Sequence, residues 1–506
     1  APFEEIVFDE FQRIEPAVAR NLYLDICAFH QFGSPVRAGL ISRVSGIRFE
    51  QFQGEFIQPL ESIVHVVKDS HSSDVYYRSR HQHVAEIVFN RVLPTAEDKF
   101  DLLARVIKSI NIDYSSDRET FSRLIRGRSI ANIFPSVELG RLFYDRVQEA
   151  SLNAPFISHQ RAVFEIQHPG GSLVQAEAAA ARAHELNPNS RSIQNTQGEI
   201  ARRLANETHD PLRKRALRRI TRGKIGRQIS QLSQYDLYTL ARLAIDEFKE
   251  LLDSPDLPID TQTPKAIVEA AKEAETAIQR GLQAFPESSE MLAVEATYRE
   301  LLAQNARAVQ ALERAFNLNP RQDWLAVRLA RKYLATRDLH NSKRVLEACL
   351  RDNPSSKIAH LQMGRVLIKS GDNRAALEHF RRSFTHGDNQ YEAQFWCARE
   401  LFLQGLFAEA EKLFSALNER APGRFRTRAI AMVERDGTQI MYDGRIERKE
   451  EGYAFLKLPR FPNNIFASRA ESDPGQWDEL YRGATITCAI GFNRRGARAL
   501  SVHLPA

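Results

Sequence analysis

Cysteine is scarce in this chain of 506 residues: Cys27, Cys349, Cys397 and Cys488 stand far apart, and no two of them form a C-x-x-C pair. This spacing excludes a disulfide-dense scaffold and a cysteine-rich zinc ribbon, and it fits reduced thiols in a cytoplasmic protein. Long apolar runs are missing as well. No stretch reaches the roughly 18 consecutive apolar residues needed to cross a bilayer, and the N-terminus lacks a basic region followed by an apolar one. Neither a membrane span nor export is expected. Charge of one sign is not in excess, since 70 Lys+Arg stand against 64 Asp+Glu for a net charge of +6. Affinity for nucleic acid therefore has to come from local clusters rather than from the overall field.

Catalytic motifs are absent too. The phosphate-cradling pattern G-x-x-x-x-G-K-[ST] does not occur, and Thr221-Arg222-Gly223-Lys224 lacks its upstream glycine and preceding strand. There is no G-x-S-x-G elbow, no H-E-x-x-H pair and no kinase signature, and the carboxylates are scattered over amphipathic helices. The expectation is a non-enzymatic binding protein without cofactor or metal, with any ATPase or effector domain lying upstream or in trans. The chain opens with Ala1 rather than Met, which points to a processed piece or a segment of a longer polypeptide.

What is present is ordinary globular composition, 43% hydrophobic, 26% charged and 9% aromatic. At about 150 residues per domain, the length suggests roughly three domains. An internal repeat is the strongest signal of organisation. Pro286, Pro320, Pro354 and Pro422 fall on a 34-residue comb whose missing tooth is Asp388. Ala274, Ala308, Ala376 and Ala410 recur twelve residues before a tooth, and Leu312, Leu346, Phe380 and Phe414 recur eight before one. Gly364 falls where one helix packs closely on its neighbour, Gly371 where the turn falls, and Gly405 repeats the turn one period later. The segment A-H-L-Q-M-G-R-V-L-I-K-S-G-D-N-R-A-A-L-E-H-F, residues 359–380, resembles the tetratricopeptide repeat, a helical hairpin. Arg337 and Ser342 depart from the pattern at the turn-glycine and small-residue positions, and a less regular hairpin is expected there. Ala176, Ala183, Pro188 and Gly198 keep the offsets of an upstream copy. Residues 155–423 thus read as one α-solenoid, with the turn-rich Ser254–Thr263 as a loop inserted within one hairpin. Stacked hairpins leave a long groove in which a protein or peptide can lie.

After Gly423 the texture changes to short alternating segments separated by Asp436-Gly437, Asp443-Gly444 and Pro462-Asn463-Asn464, which is the pattern of strands. In residues 444–458, Tyr453 and Phe455 share one strand face and Ala454 and Leu456 the other. If the small and aliphatic pair points inward, two rings stand outside, and Phe466 with Ser468 in N-I-F-A-S adds a third. Arg448, Lys449, Lys457 and Arg460 border them, giving a stacking platform with a phosphate-attracting rim suited to single-stranded RNA or DNA. The alternative is that the rings pack against the solenoid or a partner in a purely structural barrel. Glu451-Gly452-Tyr453-Ala454-Phe455-Leu456 and Asn464-Ile465-Phe466-Ala467-Ser468-Arg469 look like the two ribonucleoprotein motifs of a cold-shock domain. Leu480–Ile486 and Arg495–Ala499 resemble its later strands. The resemblance covers about residues 438–504 and implies a five-stranded oligonucleotide-binding (OB) barrel within 430–506. Ser468 and Arg469 replace the family's usual histidine and aromatic, and an exposed tryptophan on the early strand is missing, so weakened binding is expected.

Two further basic segments stand out. Arg213, Lys214, Arg215, Arg218, Arg219 and Arg222 surround Ala216, Leu217 and Ile220 at helical spacing, giving a basic amphipathic helix that either binds nucleic acid or an acidic partner or is simply solvated. In Y-Y-R-S-R-H-Q-H-V-A-E, residues 76–86, Arg78, Arg80 and His81 are candidates for contact with a phosphate or a neighbouring domain. His81 and His83 lie two apart, which is poor geometry for sharing a metal.

Before residue 155, apolar positions at helical spacing run through Ala17–Phe29, Phe49–Val67 and Val84–Leu93 and predict several short helices. Val18–Cys27, the helix and turn around Gly39–Ile47 and the Arg-His segment are together similar to the winged-helix region that follows the nucleotidase core of STAND-type signalling ATPases. That resemblance implies a winged-helix-like module over 1–150 and a sensor in antiphage defence, in which the repeats bind a protein trigger. The alternative is a free-standing RNA-binding adaptor whose repeats recruit a protein. The expected fold is mainly α, a solenoid of helical hairpins with a C-terminal OB-like β-barrel. Oligomerisation is compatible with either reading, and no membrane partner is expected.

Overall fold

The computed structural model describes residues 3–68, 74–150, 154–225, 232–253, 262–421, 425, 432–435, 438–472 and 474–505. Pro422, Asp436, Gly437 and most of the turn-rich 254–263 segment lie outside the described residues, though Gln262 and Thr263 already belong to a helix. The chain divides into two compact units. The first is Ala1–Leu329 with Thr385–Asn389, and the second is Ala330–Phe384 with Gln390–Ala506.

The first unit opens with α1 (Phe3–Gln12), α2 (Ala17–His30), β1 (Val36–Arg37) and α3 (Ala38–Ser45). A 3-10 turn (Phe49–Gln51) and a π-turn (Phe52–Ile57) run into the short α4 (Gln58–Leu60), followed by β2 (Val64–Lys68) and β3 (Val75–Ser79). The expected helical run to Val67 is therefore corrected: Val64, Val66 and Val67 are β-branched and suit a pleated surface better than a helix. They form one strand of an antiparallel sheet in the order β1-β3-β2. Helices α5 (Gln82–Val92), α6 (Ala96–Lys108), α7 (Ser115–Leu124), α8 (Gly127–Ile133) and α9 (Val137–Ala150) complete this region around a core that includes Leu22, Ile26, Phe29, Val88 and Phe89.

Helical hairpins follow: α10 (Pro155–Gln167) with α11 (Leu173–Leu186), α12 (Arg191–Glu207) with α13 (Pro211–Ile225), α14 (Gln234–Asp253) with α15 (Gln262–Ala284), and α16 (Ser289–Leu301) with α17 (Asn305–Leu318). Next come α18 (Asp323–Ala335) and α19 (Leu339–Asp352), where the division between the units falls, then α20 (Lys357–Lys369) with α21 (Asn373–Arg381), and α22 (Tyr391–Leu403) with α23 (Phe407–Arg420). Serine or aspartate caps begin many of them, because a short side-chain acceptor satisfies an otherwise orphaned backbone N–H. Ser288, Asp338, Ser356 and Asp372 accept from Met291, Asn341, Ala359 and Ala375.

The expectation of an irregular hairpin at Arg337 is also corrected. Ala303, Arg337, Gly371 and Gly405 stand one period apart, and all four adopt the left-handed conformation, with φ of 56°, 59°, 83° and 83°. The turn is thus repeated even where a side chain makes it unfavourable by roughly 1–2 kcal/mol. Ser342, fully buried, replaces the small apolar residue and donates its hydroxyl to the Ala330 carbonyl at 2.9 Å. A Cβ on Gly364 would meet the Phe380 ring at 2.5 Å, so the glycine is what lets that ring close the hairpin. At the missing tooth, Asp388 accepts from the Thr385 N–H at 2.8 Å. Within the first unit, the neighbouring Gly387 carbonyl accepts from the buried Lys99 ammonium at 2.7 Å.

The second unit ends in a small two-stranded sheet, β4 (Glu434–Arg435) and β5 (Thr438–Gln439), and a closed barrel of β6 (Met441–Lys449), β7 (Tyr453–Lys457), β8 (Ile465–Ser468), β9 (Thr485–Asn493) and β10 (Gly496–His503). Neighbours pair antiparallel except β8 with β10, which run parallel, and this is the connectivity of an OB barrel. Between β8 and β9, α24 (Pro474–Glu479) buries Trp477 completely, and the indole N–H donates to the Glu451 carbonyl at 3.1 Å.

A histidine pair links the two helices of the α20/α21 hairpin. His360 Nε2 faces the Pro354 carbonyl at 2.9 Å and so carries the proton there, which leaves its Nδ1 to accept from His379 Nδ1 at 2.9 Å. Burial, His360, Arg382 and Lys343 together pull the His379 pKa down to about 4 from 6.5, and burial with Arg78 and His81 does the same for His30. Both groups bind more protons when unfolded, so their contribution is complete above pH 6.5 and is lost as pH falls from there toward 4. Thermal denaturation between pH 7 and pH 5 is expected to show falling stability, with a smaller fall in His379→Gln.

Candidate nucleic-acid interface

The inner side of the barrel is filled by Ile446, Ala454, Leu456, Ile465, Ala467 and Ala499, all buried. Strand alternation therefore sends Tyr453, Phe455 and Phe466 to the outer side, where each is half-buried. Tyr453 and Phe466 are stacked at 5.9 Å, and Phe455 meets Phe466 edge-on at 5.7 Å. What seals against helices is a different side of the barrel. Phe492 of β9, fully buried, packs with Phe402 of α22 at 5.5 Å and Phe414 of α23 at 6.2 Å, and Phe461 meets Phe402 at 5.0 Å.

Strand register explains how the rings meet their charges. Arg448 of β6 pairs with Phe455 of β7, Phe455 with Phe466 of β8, and Phe466 with Arg498 of β10. One rung across four strands thus reads Arg-Phe-Phe-Arg. A bulge after Ile446 makes this alignment, because it shifts the register so that Arg448 rather than Glu447 faces Phe455. The Arg498 guanidinium lies 4.6 Å from the Phe466 centroid and is steadied by Glu471 at 3.0 Å. Arg448 is exposed, with Glu450 at 3.0 Å. Tyr453 faces Ser468 on the next rung to one side. Lys457 faces Arg445 on the other, its ammonium donating to the Pro462 carbonyl at 2.9 Å.

Six of the eight barrel residues singled out in the sequence thus share this face: Tyr453, Phe455, Phe466, Ser468, Arg448 and Lys457. Two are placed elsewhere. Lys449 pairs with the inward-facing Ala454 and reaches over the Trp477 ring at 5.7 Å. Arg460 lies 6.0 Å from Tyr442, which packs on Phe461 at the α22 side. Arg498 was the residue missed; its strand was legible, but its place beside Phe466 depends on the parallel β8–β10 pairing, which no local pattern announces.

The basic helix α13 is split in two. Lys214, Arg218 and Arg222 are engaged by Glu247 and Glu250 of α14, including Lys214 to Glu250 at 2.9 Å and Arg222 to Glu247 at 2.6 Å. Arg213, Arg215 and Arg219 remain exposed. In the N-terminal region, Arg80 pairs with Glu10, Arg78 is exposed on β3, and His81 caps α5 by accepting from His83 N–H at 3.1 Å. Among the described residues, no group of three or more His, Cys, Asp or Glu could hold a metal ion, and no helix is long and apolar enough to cross a membrane.

The architecture is that of a tetratricopeptide-like helical-repeat protein with an OB-type barrel. No protein-family model matches the chain, and no curated protein matches it. Among solved structures, it is similar to a human IFIT1 dimer with m7Gppp-AAAA (14% identity, 65% of this chain and 74% of that one, TM-score 0.34). It is also similar to MamA (18% identity, 31% and 93%, TM-score 0.26) and to YrrB, described as a TPR protein with an unusual peptide-binding site (21% identity, 29% and 77%, TM-score 0.26).

The two faces of β7 should respond differently to truncation. Leu456→Ala opens a cavity in the barrel core and is expected to cost about 2–5 kcal/mol, whereas Phe455→Ala on the outer face should cost about 1 kcal/mol. Urea denaturation of the two variants measures the difference.

Proposed function

We propose that this chain is a non-catalytic recognition scaffold whose barrel holds single-stranded nucleic acid and whose helical hairpins hold a protein. The Arg448–Phe455–Phe466–Arg498 rung carries the first half of that reading. Rings offer π-faces to bases of any sequence, and guanidinium groups at both ends of the rung attract the phosphates on either side. Lys457 and Arg445 extend the positive charge along the same face.

Fluorescence anisotropy with labelled oligouridylate and oligothymidylate tests it. Binding that strengthens at low salt is expected. At roughly 1–3 kcal/mol per stacked base, the double variant F455A/F466A should bind at least about tenfold more weakly. Absence of binding even at low salt, or unchanged affinity in the double variant, overturns the assignment.

The N-terminal element order favours a more specific second reading. Helix α2, β1, α3, the helical stretch 49–60, β2 and β3, with the sheet ordered β1-β3-β2, follow the sequence of a winged-helix module. The stretch 49–60 carries Glu50 and Glu55 and no lysine or arginine, so it suits contact with protein rather than the major groove of a duplex. That fits the sensor portion of a STAND-like signalling or antiphage protein. An upstream nucleotidase domain encoded in the same reading frame is the expected finding, and its absence from the intact frame counts against this second reading.

A further inference from the structure

The period that organises the hairpins also runs through three arginines. Arg331, Arg365 and Arg399, each 34 residues from the next, occupy the same place in α18, α20 and α22, and all lie in the second unit. The last is well supplied with partners. Arg399 is 4% exposed, pairs with Glu400, donates to the Met432 carbonyl at 3.1 Å and lies over Phe492 at 5.7 Å.

The other two have fewer anionic or carbonyl partners. Arg331 is exposed, and its Nε donates to the Gln362 side-chain oxygen at 3.2 Å. Gln362 is itself 2% exposed, and its amide nitrogen is buried without an acceptor among the described residues. Arg365 reaches the exposed carboxylate of Glu392 at 3.2 Å and lies over Trp396 at 5.3 Å. Burial pulls its pKa down, Glu392 opposes that, and the Arg331 charge adds to the fall. Two like charges therefore stand together at the seam between α18, α20 and α22, an arrangement that an incoming anion relieves.

We propose that Arg331 and Arg365 bind the carboxylate side chains of an extended acidic peptide from a partner protein. Guanidinium groups grip carboxylates through paired, charge-assisted hydrogen bonds, and Arg399 shows the completed arrangement one repeat further on, with Glu400 and the Met432 carbonyl as its acceptors. Nucleic acid fits this seam less well. Trp396 is a half-buried ring packed on the fully buried Phe380 at 6.0 Å, whereas the barrel sets three half-buried rings side by side for successive bases. The inference rests on the reading that the hairpins hold a protein and is independent of the barrel.

The test uses the full chain and a fluorescein-labelled peptide of repeated Gly-Ser-Glu triplets, with its Gly-Ser-Gln counterpart as control. Anisotropy at low salt should show the Glu peptide binding and the Gln peptide binding at least about tenfold more weakly, with Arg331→Gln and Arg365→Gln each weakening the Glu peptide roughly tenfold. F455A/F466A should leave this affinity unchanged while losing oligouridylate, so failure at the seam and failure at the barrel are read separately. Because Arg331 is exposed, Arg331→Gln decides the matter should Arg365→Gln lower the melting temperature measured by circular dichroism. No binding of the Glu peptide, equal binding of the two peptides, unchanged affinity in Arg331→Gln, or competitive displacement of the Glu peptide by oligouridylate from the F455A/F466A chain overturns the proposal.

Discussion

The packing of Phe492 and Phe461 against Phe402 and Phe414 settles which side of the barrel meets water. Five strands closed on themselves have no edge to hide, so the only choice is which stretch of the outer wall the last hairpin covers. Here β9 and the segment after β7 are covered, and the β7–β8 wall is left open. With Phe492 and Phe461 buried, rotating the barrel to hide Tyr453, Phe455 and Phe466 would expose those two rings in exchange, which offsets the apolar gain. The position of the candidate interface therefore follows from packing elsewhere in the same unit.

Much of this architecture was legible because it is periodic. The spacing of Ala308, Ala376 and Ala410 against Leu312, Leu346, Phe380 and Phe414 is a small-against-large packing rule written out repeatedly, and all of these residues are buried. The alternation of Tyr453-Ala454-Phe455-Leu456 gave the two faces of β7 for the same reason. Where local rules and tertiary context disagreed, context prevailed. Arg337 takes a backbone conformation that glycine prefers because hydrogen bonds on both sides of the turn, such as Asp338 N–H to the Tyr333 carbonyl at 2.8 Å, hold it there. Val64–Lys68 pairs as a strand because β3 lies alongside it.

Charges were the least legible part. The basic residues of α13 form one run in sequence, yet Lys214, Arg218 and Arg222 face the carboxylates of α14 and are largely neutralised, while Arg213, Arg215 and Arg219 lie on the exposed side. Lys449 and Arg448 are adjacent in sequence but lie on opposite sides of the barrel wall, because successive strand residues alternate. A count of lysines and arginines cannot distinguish these cases; only register and the facing helix can. The arginine column of α18, α20 and α22 is the reverse case, being scattered in sequence and assembled by the repeat.

The parallel pairing of β8 with β10 has a consequence for how the protein is made. Arg498 reaches Phe466 only when the final strand slots in beside β8, the same event that seals the cylinder. Ring platform and sealed cylinder are thus acquired together, and a ribosome-bound chain that has emerged only as far as β9 would display its aromatic residues without the cation that finishes the rung.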